Sequence, residues 1–119
     1  MRIVTGLALD ATVICLFAAI GRRNHGESGA LLAVATTAWP FLAGLSVGWL
    51  VWLSVSRRAP LLVRDGIPLW LAAVAIGMVL RHLTGAGTAF AFVVVAILFL
   101  GAGLLGWRGL AAWTTRPRP

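Results

Sequence analysis

The chain alternates between long apolar runs and short polar breaks. Residues 3–20 are apolar apart from one interruption, Asp10, and residues 30–55 carry no charge. Residues 67–83 are apolar up to Leu80 and reach Leu83 past Arg81, and residues 88–107 are again uncharged. A helix crosses the hydrocarbon core with ~20 apolar residues, within a range of about 17–25, and each run is of that order. Lipid offers no partner to backbone N–H and C=O groups, so such runs satisfy themselves as helices. Turn formers lie between them: Gly21, Asn24, Gly26, Ser28 and Gly29 in residues 21–29, Pro60 and Asp65-Gly66 in residues 56–66, and Thr84-Gly85-Ala86-Gly87. Short connections set neighbouring helices antiparallel. The pattern predicts an all-α integral membrane protein: one domain over residues 1–119, a four-transmembrane-helix bundle of two antiparallel hairpins, with residues 108–119 as a short basic tail.

Composition sharpens this picture. Only 11% of residues are charged and 61% are hydrophobic, whereas a soluble domain carries about a quarter charged residues. A soluble surface cannot be covered with so few charges. The net charge of +7 comes from arginines between the apolar runs and in the tail, where anionic headgroups meet them. The partner this implies is the lipid bilayer, not nucleic acid. With the N-terminus inside, Arg2, Arg57, Arg58, Arg64, Arg108, Arg116 and Arg118 lie on the inner side, and Arg22, Arg23 and Arg81 on the outer. The positive-inside rule then places both termini in the cytoplasm of a cell membrane, with Trp70, Trp107 and Trp113 at the inner interface. Asp10 interrupts the first run in a way a signal peptide rarely tolerates, so this run reads as an uncleaved span.

Small residues recur four apart: Gly44 with Gly48, Ala73 with Gly77, and Ala102 with Gly106. Such faces allow close helix approach, within the chain or between copies in a homo-oligomer or with a membrane partner. Gly101-Ala102-Gly103-Leu104-Leu105-Gly106 spells a nucleotide-binding fingerprint, but it lies inside an apolar span with no preceding strand and reads as packing.

Few residues carry chemistry. An ionised carboxylate within a span costs about 2.5–3.5 kcal/mol on insertion scales, so Asp10 must face the bundle interior or a wet cavity. Pro40 removes a backbone donor and frees the carbonyl of Thr36. With Thr37 alongside, Asp10, Thr36, Thr37 and Pro40 form a candidate midplane polar site. At the outer ends, Arg22, Arg23, His25, Arg81 and Thr84 form a candidate site for an anion or lipid headgroup. Lone Cys15 has no partner for a disulfide or a metal. His25 and His82 sit near loops, unlike axial haem ligands held well inside helices. No nucleophile–base–acid set, phosphate loop or metal spacing is present, so the expectation is no cofactor, no metal and no catalytic residue.

Asp10, Phe17, Gly21-Arg22, His25, Pro40-Phe41 with Gly44, Arg81 with Thr84-Gly85, Phe92-Val93 and Trp107-Arg108 together resemble an uncharacterised bacterial and archaeal membrane family, domain of unknown function 3054. The resemblance runs from about Asp10 to Arg108. It implies a four-span bacterial-type membrane protein and no particular activity, and it groups Asp10, Arg22, His25, Pro40, Arg81 and Thr84. Small multidrug-resistance transporters are similar in size, span number and a first-helix carboxylate. They differ in the absence of Tyr here, in Pro40 and in the basic outer loop. The sequence thus supports a non-catalytic membrane scaffold or partner subunit, with Asp10 as packing glue. The alternative is a small transporter or transporter component that uses Asp10 as an intramembrane carboxylate.

Overall fold

A computed structural model of the chain describes residues 2–21 and 30–115. These residues form four helices: α1 (Ile3–Gly21), α2 (Ala30–Ser56), α3 (Val63–Leu83) and α4 (Phe90–Thr114). All four are long and apolar enough to cross a membrane, and the described residues contain no strand. At 1.5 Å per residue the shortest, α1, spans about 28 Å, close to the hydrocarbon thickness.

Local chemistry sets the helix ends. α2 stops where Arg57 turns to φ 60°, a left-handed conformation that breaks the helix, and Pro60 prevents its resumption. α3 begins earlier than the apolar pattern predicts, at Val63 instead of residue 67, because Asp65 works as an N-terminal cap. Its carboxylate accepts the Leu62 N–H at 3.0 Å, satisfying a donor the helix cannot. At the other end of α3, Gly85 takes φ 77°. The Ala86 N–H then bonds the Arg81 carbonyl at 2.9 Å and the Gly85 N–H bonds His82 at 3.2 Å. This is a Schellman closure, for which glycine is the favoured residue. α4 runs seven residues beyond the expected limit of 107, so residues 108–114 are helix and not tail. The extension follows from Arg108, which is fully buried and so belongs to the bundle.

Each helix packs on its two neighbours in a ring α1–α2–α3–α4, closed by α4 against α1. The core is apolar, with Ile14, Phe17, Phe41, Leu45, Leu69 and Leu100 among its buried members. Phe17 lies at its centre. Its ring centroid is 5.4 Å from Phe41 in an edge-to-face contact, 5.6 Å from Phe92 and 5.7 Å from Phe99, distances at which aromatic pairs attract beyond simple burial.

The small-residue pairs divide into two groups. A Cβ on Gly44 would lie 2.8 Å from the Ala72 carbonyl oxygen and 3.0 Å from the Ala73 Cα, one on Gly48 would lie 3.2 Å from the Ala72 Cβ, and one on Gly77 would strike the Phe41 ring. Gly44, Gly48, Ala73 and Gly77 therefore line a close α2–α3 seam. Ala102 and Gly106 face outward, and a Cβ on Gly106 would meet nothing within 4 Å. Gly103, one of the unpaired glycines of α4, is the one that lets α1 approach, since a Cβ there would strike Val13.

Candidate functional site

The most polar part of the bundle is built around Asp10. Its side chain and that of Arg108 have zero solvent exposure. The Arg108 guanidinium grips the carboxylate with two parallel bonds, Nη1 to Oδ1 at 2.7 Å and Nη2 to Oδ2 at 2.8 Å. Two indoles complete the set: Trp107 Nε1 donates to Oδ1 at 2.7 Å and Trp49 Nε1 to Oδ2 at 2.9 Å. Each carboxylate oxygen thus accepts two N–H donors. Arg108 spends its remaining reach on backbone carbonyls, with Nε donating to Pro60 at 2.9 Å and Nη1 to Leu104 at 2.8 Å. Its Cζ also lies 4.4 Å from the centroid of the Trp107 ring, a cation–π contact. Bidentate, charge-assisted bonds of this kind are the strong class. Their satisfaction is what permits two ionisable groups at zero exposure.

Glycines make the room. A Cβ on Gly66 would lie 2.9 Å from the Arg108 Cδ, so α3 comes to the guanidinium stem only because residue 66 has no side chain. A Cβ on Gly6 would lie 3.0 Å from Leu61 and 3.2 Å from the Trp49 ring. The cluster therefore joins α1, α2, α4 and the α2–α3 connection in one knot.

A second polar group stabilises that connection. Arg58 pairs with Asp65 through Nη1–Oδ2 at 2.7 Å and Nη2–Oδ1 at 3.0 Å. The Trp52 indole donates to the Arg58 carbonyl at 3.0 Å and stacks under its guanidinium. The Asp65 hydrogen bonds raise the Arg58 pKa above its ordinary value against the opposing pull of desolvation, so its charge is balanced locally.

Of the residues expected to form a midplane site with Asp10, Thr36 turns away from the bundle. The Thr36 hydroxyl is exposed and bonds the Leu32 carbonyl in its own helix at 2.8 Å. Thr37 and Pro40 are buried, but Pro40 adjoins Phe41, which packs on Phe17. Phe17 is seven residues from Asp10, about 10 Å along α1. The helix register is set by Phe17 on Phe41 and Gly6 beside Trp49, which bring Asp10 level with the second half of α2.

Arg22, Arg23 and His25 of the expected outer site lie outside the described residues. Arg81 is buried. Its Nε donates to the Gly87 carbonyl at 2.9 Å and its Nη2 to Ala86 at 3.1 Å, and its Cζ sits 4.1 Å from the Phe92 centroid. The Thr84 hydroxyl bonds the Leu80 carbonyl at 2.9 Å. These contacts tie the α3–α4 connection to its own helix.

Sequence reading leaves Thr36, Thr37, Arg81 and Arg108 open as partners of Asp10, and of these Arg108 takes the carboxylate. It misses Trp49 altogether and assigns Trp107 to the interfacial belt. The usable signal was the indole N–H, which in an apolar span needs an acceptor where Asp10 needs donors.

Fold and site together define a class: an all-helical bundle of four helices long enough to cross a membrane, knotted at one end by a buried Asp–Arg pair capped by two indoles. A family model described as a protein of unknown function, DUF3054, matches residues 7–111, and the chain belongs to this family. No curated protein and no solved structure is detectably similar to the chain.

Proposed function

We propose that the chain is a multi-pass protein of the cytoplasmic membrane, inserted as two antiparallel hairpins with both termini inside, and that it serves as a non-catalytic scaffold or partner subunit. The observation that carries this reading is the closed coordination of Asp10. A proton-carrying carboxylate must exchange its proton with a water path or substrate. Here both oxygens are saturated by N–H donors from Arg108, Trp49 and Trp107, and taking up a proton requires breaking a buried ion pair. Polar groups arranged in this way hold helices together.

The purified chain, reconstituted in liposomes, is expected to leave an imposed pH gradient intact. A collapse of the gradient that disappears in an Asp10→Asn variant still folded by circular dichroism and monodisperse in detergent would replace the scaffold reading with that of a proton-coupled transporter. The orientation rests on the arginine asymmetry. Topology reporters fused after Ser28 and after Arg118 are expected to report opposite sides, outside and inside respectively. Equal signals from both sides at each position would indicate dual topology.

A further inference from the structure

The outward face between α3 and α4 holds a groove of about 470 Å³, lined by Trp70 of α3 and by Leu98, Gly101, Ala102, Leu105 and Gly106 of α4. Trp70 forms one wall and is fixed there by its indole N–H, which donates to the Ile97 carbonyl at 3.0 Å. The absence of side chains at Gly101 and Gly106 and the small Ala102 make the floor, and nothing in the bundle fills the space over Gly106. One turn beyond Gly106, the position of Gly109 comes within 3.9 Å of Val63, so this end of the groove meets the start of α3. The next residue, Arg64, is exposed and makes no hydrogen bond or ion pair among the described residues. The nearby Asp65 is hydrogen-bonded by Arg58 and acts on Arg64 only through space, so one carboxylate serves two guanidiniums and this end of the groove keeps an excess of positive charge.

We infer that this groove is a site for one anionic glycerophospholipid, with an acyl chain along Ala102 and Gly106 and its phosphate beside Arg64. The inference rests on the membrane-spanning reading above. An apolar trough with an exposed guanidinium and an excess of positive charge at one end complements a molecule with a long apolar chain and an anionic head. A free phosphate would satisfy only Arg64, and a second copy of the chain would present no matching acid there among its described residues, because Asp10 and Asp65 are both buried in ion pairs.

The test is native mass spectrometry of the full chain in mild detergent, titrated separately with phosphatidylglycerol, phosphatidylcholine and inorganic phosphate. Wild type is expected to retain one phosphatidylglycerol in preference to phosphatidylcholine, by about fivefold for a single interfacial arginine, and to retain no phosphate. Arg64→Gln should remove the preference. Arg2→Gln, before α1 and so diagonal to α3 across the ring, should keep it. Gly106→Leu fills open space, so it should fold normally and lose both lipids. Equal retention of the two lipids by wild type, unchanged retention in Gly106→Leu, or a lipid-free dimer would each overturn the site. Release of the chain from membranes by an alkaline carbonate wash would instead overturn the membrane-spanning reading itself.

Discussion

Arg108→Met should be the most damaging single substitution in the bundle, lowering stability in detergent by about 3–5 kcal/mol. Met fills much of the volume of the arginine stem, so little of this loss comes from packing. The main cost is the Asp10 carboxylate left at zero exposure without its counter-ion. The Pro60 carbonyl loses its Arg108 donor at the same time, and the α2–α3 connection loses its tie to α4. Chemical denaturation followed by tryptophan fluorescence suits the measurement, because Trp49 and Trp107 both touch the site and report its opening directly.

Gly44→Leu is the second large effect. The added Cβ meets a carbonyl oxygen at 2.8 Å and a Cα at 3.0 Å across the seam. Both are backbone atoms, so neither can rotate away and α2 must move off α3. The expected loss is about 3 kcal/mol, the upper end for overpacking. Gly106→Leu carries the same change of residue into open space and is expected to stay within about 0.5 kcal/mol of wild type, as surface substitutions do. A thermal-shift comparison of the two variants checks both. Similar losses in both would mean that the two small-residue pairs play equivalent packing roles, against the geometry.

These two glycines show how far the sequence could be read. Four apolar runs are legible because hydropathy needs only local composition, and the helices observed overlap all four. Spacing alone cannot rank Gly44-x-x-x-Gly48 against Ala102-x-x-x-Gly106, since it records small faces and not what lies opposite them. Helix ends were misplaced where a single side chain overrode composition: Asp65 capping α3, and Arg108 paired inside α4 when its charge alone suggested a tail. Asp10 was recognisable because a lone carboxylate in an apolar run demands a partner. Which partner it takes depends on the register between helices that are 39 and 98 residues away in sequence, and one-dimensional patterning does not contain that register. The α3–α4 groove was invisible for the same reason, because its two walls come from different helices.

The central claim is that Asp10 and Arg108 act as one structural unit, and a double-mutant cycle tests it most directly. Asp10→Asn, Arg108→Gln and the double variant would be compared with wild type by denaturation in one detergent. Residues in one buried network are expected to couple by up to about 3 kcal/mol. Each single variant should therefore lose several kcal/mol, and the double variant should lose little more than either alone, because the second change removes a charge already stranded by the first. Losses that add to within about 0.5 kcal/mol, the behaviour of independent sites, would contradict the account and return Asp10 to being a residue whose purpose lies elsewhere.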